Sequence, residues 1–390
     1  MSKSPLRYFS GDFTLGILGG GQLGKMLLQE TRRYDIRTRV MDASPEAPCR
    51  IGCNEFVNKD ITDYHSVMQF GESCDVLTIE IENVNVKALQ ALSEQGIAVY
   101  PQPAALHIIG NKVRQKQFYA QHHIPTADFK AVQSRQEVKE LLKQEGWTLP
   151  LVWKAATGGY DGRGVQMLKT PADLESLPEN AAGLVEQKID FKTELAAVVA
   201  RSSTGEVKVF PTVEMDFHPT ANLVEFVFSP STIDPALEKQ ARDLAAGVAE
   251  KLHITGLLAV EMFLDNNDNL LVNEVAPRVH NSGHLTIEGN TTSQFDQHLR
   301  AILGLPLGDV EIIRPAVMVN LVGDAQHSGP VWYAGMEKIL GLKGVSPHIY
   351  GKAVTRPFRK MGHVTITAPT LAEARNTAKT VKESVIVKSI

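Results

Sequence analysis

The sequence predicts a multidomain protein, α/β in its first part and α+β thereafter, and three observations carry that prediction. Short apolar runs alternate with helical patterns up to about residue 108. The rhythm then changes to strands punctuated by turns. A chain of 390 residues also exceeds what one hydrophobic core organises, so two or three domains of roughly 100 to 200 residues each are expected.

Residues 13–18 and 37–41 read as strands with a helix over 23–31 between them, a βαβ unit. Apolar runs at 76–81 and 97–100 continue the parallel pattern, so a first domain is expected over 1–108. A second domain, 109–310, opens with a helix carrying Phe118 and Tyr119 and an apolar run at 149–156 that ends in a glycine-rich loop. Strands at 195–201, 207–211 and 223–228 follow, then a helix over about 235–252. Residues 311–390, with strands at 316–321 and 363–368, suit a small β-rich third domain or a lid.

Hydrophobic residues make up 43% and charged residues 22%, an ordinary globular composition. The net charge of -4 supplies no basic field for a polyanion, so nucleic-acid binding is not expected. No stretch approaches the roughly 18 apolar residues of a membrane span. Residues 1–14 lack the apolar core of a secretory signal, so a cytoplasmic location without membrane contact is the expectation. Cys49, Cys53 and Cys74 form neither an even framework nor a zinc spacing and read as reduced thiols.

Gly19, Gly21 and Gly24 satisfy G-x-G-x-x-G between a strand and a helix, and Asp42 ends the next strand. A dinucleotide, another phosphorylated ligand or a bare βα turn all fit this pattern. A second loop, Thr157-Gly158-Gly159-Tyr160-Asp161-Gly162-Arg163-Gly164, follows a strand that carries Lys154 at its end. Its freed backbone N–H groups and the lysine suit phosphate, and the order differs from a Walker loop; a plain hairpin accounts for the glycines alone.

Residues 257–264 and 270–275 are apolar runs joined by Asp265-Asn266-Asn267-Asp268-Asn269, a hairpin signal. With Asn267 and Asp268 at the tip, paired numbers sum to 535 and Glu261 faces Glu274. Like charges across a ladder repel, so either Mg²⁺ with nucleotide phosphates joins them, with Asn273 supplying a further oxygen, or both lie on a solvent face. Directly after Glu274 come Arg278, His280, Asn281 and His284, groups suited to a small carboxylate-like substrate and to proton transfer. Lys352, Arg356, Arg359 and Lys360 gather beside Tyr350 and Gly351, a set that suits a phosphomonoester or a solvated basic face.

Three segments, Gly20-Gly21-Gln22-Leu23-Gly24, the loop from Gly158 to Gly164, and Asn273-Glu274-Val275-Ala276-Pro277-Arg278-Val279-His280-Asn281-Ser282-Gly283-His284, together resemble the 5-(carboxyamino)imidazole ribonucleotide synthases of the ATP-grasp family. The resemblance runs over nearly the whole chain, and the second and third segments are its more specific parts. It implies a Rossmann-like N-terminal parallel-sheet domain, a central ATP-grasp fold, a small C-terminal β-rich domain and a homodimer. It implies ATP bound through Lys112, Lys154, Gly159, Tyr160, Asp161, Gly162, Arg163, Gly164, Asn273 and Glu274, with adenine at Glu186, Gln187, Lys188 and Ile189 and ribose at Glu194. Glu261 and Glu274 would bind Mg²⁺, while Arg278, His280, Asn281 and Lys154 would act on bicarbonate or the carboxyphosphate made from it. Aminoimidazole ribonucleotide would lie against Gln22, Leu23, Glu80 and Tyr160, its 5′-phosphate on Lys352, Arg359 and Lys360. The family's Glu-Asn-x-His is replaced here by Glu214-Met215-Asp216-Phe217-His218, an apparent insertion that puts His218 in doubt as an ATP contact.

The implied reaction is ATP-dependent carboxylation in purine biosynthesis. Three other readings are an ATP-grasp ligase using formate or another acid, a nicotinamide oxidoreductase, and a non-catalytic nucleotide-binding module. The last two leave the Glu261–Glu274 pair or the cluster after it without a task.

Overall fold

Five short strands, β1 (Thr14–Leu18), β2 (Arg37–Asp42), β3 (Glu55–Asn58), β4 (Val76–Ile79) and β5 (Ala98–Tyr100), form a parallel sheet in the order β3-β2-β1-β4-β5. β1 and β4 are almost wholly apolar because helices cover both faces of the sheet. The helix Gln22–Arg33 buries Leu23, Met26 and Leu27, an i, i+3, i+4 stripe, beside them. The structure, a computed structural model, describes residues 8, 9, 11–158, 164–217 and 223–390. Gly159, Tyr160, Asp161, Gly162, Arg163 and His218 lie outside the described residues.

A small antiparallel sheet follows: β6 (Phe129–Val132), β7 (Leu151–Ala155), β8 (Val165–Leu168) and β9 (Gly183–Gln187), in the order β6-β9-β7-β8. Opposite it stands a nine-stranded sheet. Its first part holds β10 (Phe191–Arg201), β11 (Val207–Val209), β12 (Val213–Phe217), β13 (Val224–Ser229), β14 (Gly256–Asp265) and β15 (Leu270–Ala276). Alternation along β10 and β14 separates two faces. Leu195, Ala197 and Val199 pack with Leu258, Val260 and Met262 beneath the helix Pro235–Lys251, while Glu194 and Glu261 point to the other side.

The C-terminal segment contributes β16 (Ala316–Val322), β17 (Gly329–Ala334), β18 (Val345–Ile349), β19 (Val354–Thr355), β20 (Lys360–Thr367) and β21 (Ile386–Ser389). It is β-rich, yet its main strands do not close a sheet of their own. β16 pairs with β13 from Phe226↔Val319 to Ser229↔Ala316, so β16, β20 and β18 extend the central sheet. The reason is the apolar β13 edge, whose N–H and C=O groups need a partner strand. Only β19, β17 and β21 form a separate three-stranded sheet.

The helix Gln294–Leu303 locks the N-terminal sheet to the central one, with Phe295, Leu299 and Ile302 in a core shared with Leu27 and Val76. Buried His298 crosses the joint. Its Nδ1 accepts from Leu257 N–H at 3.3 Å, which places the proton on Nε2, 3.1 Å from Thr78 Oγ1 on β4. Among the described residues no helix is long and apolar enough to cross a membrane.

Candidate active site

The β14–β15 hairpin sets the centre of the site. Near its tip the pairs Leu264↔Leu270, Phe263↔Leu271 and Met262↔Val272 sum to 534, one less than a tip at Asn267 and Asp268 requires. Asp265 explains the difference: its Oδ1 accepts from the N–H groups of Asn267 and Asn269, both at 2.8 Å, and widens the turn. The register then shifts, Asn273 is the extra residue, and Glu261 pairs with Glu274 after all. Such a bulge re-aims side chains, and here Asn273 and Glu274 both meet lysines of the site.

Those lysines come from the start of a helix, Lys112, and from the small sheet, Lys154. Asn111 caps the helix Lys112–Gln121, accepting from Val113 and Arg114 N–H at 3.0 and 3.1 Å. Lys112 at its start donates to Glu274. One turn on, buried Lys116 is 2.7 Å from Glu186 Oε1 and donates to Thr126, whose hydroxyl donates to Val272 O at 2.6 Å. Lys154, at the end of β7, lies 2.7 Å from Glu186 Oε2 and 2.8 Å from Asn273 Oδ1.

Electrostatics divide the carboxylates. Burial alone would raise Glu274, but Lys112 and Lys154 outweigh it and hold the carboxyl below its usual range. Across the ladder burial pushes Glu261 up, and the negative charge of Glu274 adds to the rise. Glu194 is raised to about 7 by burial. Glu186 is held low because Lys154 and Lys116 overcome its burial, while burial depresses Lys116 to about 8.

The segment after β15 folds back over this centre. His280 Nδ1 accepts from Ser282 N–H at 3.3 Å, so its proton sits on Nε2, 3.4 Å from Glu261 Oε1. Arg278 Nε lies 2.8 Å from Glu82 Oε1. Asn281 and Asn320 exchange reciprocal amide hydrogen bonds at 2.9 and 3.0 Å, so the Asn281 carboxamide is turned onto β16.

The first glycine turn does bind an anion, but the anion is the protein's own. Glu80, just past β4, accepts from Gly21, Leu23 and Gly24 N–H at 2.9, 3.0 and 3.0 Å. Asp42 accepts from Gly20 N–H at 2.7 Å. The helix N-terminus open to phosphate in a dinucleotide fold is thus already satisfied, which removes the support for a nicotinamide cofactor. Glu80 itself is pushed up by burial against the pull of the Gly24 and Gly21 amides.

The remaining predicted residues distribute around this centre. Gly164 closes the β7–β8 hairpin at positive φ, its carbonyl accepting from Ala155 N–H at 2.8 Å. Gln187 ends β9 and donates through Nε2 to Gly146 O at 2.6 Å; Lys188, which contacts Asp190, and Ile189 form the link to β10. Gln22 and Leu23 begin a helix whose Lys25 donates to Ile349 O at 2.8 Å, which brings it beside the basic C-terminal stretch. There Lys352 donates to Lys360 O at 2.7 Å, and Arg359 donates to Val354 O at 2.5 Å. Lys360 is near enough for its charge to act on Glu261 and His284.

Sequence reasoning missed Lys116, Glu82, Gln294 and Asn320. Lys116 had a signal, lying four residues after Lys112 on one helix face. Asn320 is the lone polar residue in an otherwise apolar strand. Glu82 and Gln294 had none.

Residues 13–110 match the ribonucleotide synthetase preATP-grasp domain, 117–295 the ATP-grasp domain, and 316–377 the phosphoribosylaminoimidazole carboxylase C-terminal domain. The N5-carboxyaminoimidazole ribonucleotide synthase of Bacillus subtilis is 36% identical over 355 residues, 90% of each chain. This chain belongs to the N5-carboxyaminoimidazole ribonucleotide synthase family. The family's solved structures agree with its fold. The synthetase from Thermotoga maritima superposes with a TM-score of 0.88 at 37% identity, covering 97% of this chain and 100% of that one. The Aspergillus clavatus synthase, solved with ADP and 5-aminoimidazole ribonucleotide, has a TM-score of 0.85 at 32% identity over 96% and 98% of the two chains. As a member of this family the chain is an ATP-grasp ligase.

Proposed function

We propose that the protein uses ATP and bicarbonate to carboxylate 5-aminoimidazole ribonucleotide, releasing ADP and phosphate. The bulged hairpin carries this reading: it sets Glu261, Asn273 and Glu274 against Lys112 and Lys154 in one cluster. Two carboxylates and an amide oxygen are hard donors that fit Mg²⁺, which takes one or two carboxylates and completes its shell with phosphate and water. Bound there, the ion would offset charge on the phosphates.

The protein's own groups supply the rest. A bicarbonate oxygen attacks the γ-phosphorus, the bond to the bridging oxygen breaks, and ADP leaves. Lys154 and Lys112 stabilise the charge that spreads over the transferring group. Arg278, fixed through Glu82, and His280, with its proton on Nε2, hold the acid beside Glu261. The exocyclic amine then forms a bond to the carboxyl carbon, phosphate departs and the nitrogen loses a proton. Glu80 orders the turn at Gln22 and Leu23, against which the ribonucleotide lies, and Lys352, Arg359 and Lys360 take its 5′-phosphate. Asn281 acts through its link to Asn320, a support for the loop rather than a direct ligand. The working form is a cytoplasmic homodimer, with the mass in solution as its check.

The test is ADP release with bicarbonate, aminoimidazole ribonucleotide or magnesium omitted in turn. Full turnover requires all three. Equal turnover with formate, or indifference to the ribonucleotide, overturns the assignment.

A further inference from the structure

Gln294 is fully buried at the start of the helix Gln294–Leu303, and its carboxamide faces the main chain of His280. Its Oε1 accepts from His280 N–H at 2.8 Å, and its Nε2 donates to His280 O at 2.7 Å. The second hydrogen on Nε2 points to His284 Nδ1, 2.9 Å away. Each strong donor and acceptor of the amide therefore has a partner in the segment that follows β15.

The neighbourhood is built around this contact. A Cβ at residue 283 would come 2.4 Å from Gln294 Oε1, so glycine is what lets the amide approach. Gln294 N–H donates to Thr286 Oγ1 at 2.8 Å, and Thr286 Oγ1 donates to Gly283 O at 2.6 Å, tying the same segment a second time. Meanwhile the His280 ring is fixed from the other end, Nδ1 on Ser282 and Nε2 toward Glu261.

We infer that Gln294 is a positioning residue for the acid: it holds the His280 main chain so that Nε2–H points at the oxyanion beside Glu261. The inference rests on the functional reading above. A group that holds one reactant in place governs the binding and orientation of that reactant and of no other, so the signature is selective for one substrate.

Gln294→Met keeps the length of the side chain and removes both the donor and the acceptor. Gln294→Glu keeps an acceptor for His280 N–H and loses the donor to His280 O. In either variant the KM for bicarbonate is expected to rise about tenfold or more, while the KM values for ATP and aminoimidazole ribonucleotide stay within about twofold. A folded variant whose bicarbonate KM is unchanged overturns the inference, as does a parallel rise in all three KM values. Failure of both variants to fold would assign Gln294 to the fold alone and overturn it too. Wild-type turnover indifferent to bicarbonate would instead sink the functional reading, and it is measured first.

Discussion

Replacing His298 with glutamine should convert a pH-dependent joint into a pH-independent one. Glutamine can accept from Leu257 N–H and donate to Thr78 Oγ1, the two bonds His298 makes between β14 and β4. Burial depresses the imidazole from its ordinary 6.5 to about 4. Below pH 6.5 the unfolded chain takes up a proton that the folded chain refuses, so stability is fully present above that pH and is lost as pH falls toward 4. At about 1.4 kcal/mol per unit, the loss is about 2 kcal/mol by pH 5 and about 3 kcal/mol by pH 4. Urea titrations followed by circular dichroism from about pH 7.5 to about pH 5 read this directly. The glutamine variant gains on the wild type by about 2 kcal/mol across that interval. A gap between the two proteins that stays constant with pH would refute the claim that His298 is held neutral.

Three further outcomes are expected. Glu274→Gln should lower ADP release by about 100-fold or more while leaving the circular dichroism spectrum unchanged; wild-type turnover in that variant removes the metal argument. Lys116→Met leaves Glu186 with Lys154 as its remaining lysine, and loss of one member of a buried ion pair costs about 3 kcal/mol, seen as a lower urea midpoint. An unchanged midpoint would show that Lys154 compensates alone. Glu80→Gln provides one acceptor oxygen where three backbone N–H groups now share two, so a loss of about 1–3 kcal/mol should appear in the same titration. A more stable variant would mean that the carboxylate's desolvation outweighs its hydrogen bonds.

Hairpin arithmetic reached the Glu261–Glu274 pairing through two differences that offset each other. The tip is wider than the residues at 267 and 268 suggest, because Asp265 binds the turn with its own side chain, and the bulge at Asn273 restores the count. A bulge depends on what it faces, here Lys154 from another sheet, so no local pattern reveals it. The first glycine turn was legible as an anion site, but not its occupant, since Glu80 is 56 residues from Gly24 and arrives through pairing of β1 with β4. Strands at 316–321 and 363–368 were visible from their apolar runs. Their membership in the central sheet was not, because edge partners are chosen by long-range packing. Lys116 was missed although helical spacing marked it, and Gln294 could not have been found without the chain path around His280.

The pairing of β13 with β16 bears on how far this protein behaves as a set of exchangeable cassettes. A graft that took residues 311–390 from a relative would have to reproduce the four cross-strand pairs from Phe226↔Val319 to Ser229↔Ala316, as well as the Asn281–Asn320 exchange next to His280. A truncation before β16 would leave Phe226, Val227 and Phe228 along an open strand edge, the kind of surface on which chains aggregate. The boundary that the sequence suggests near residue 310 is therefore no seam along which the folded molecule could be recombined.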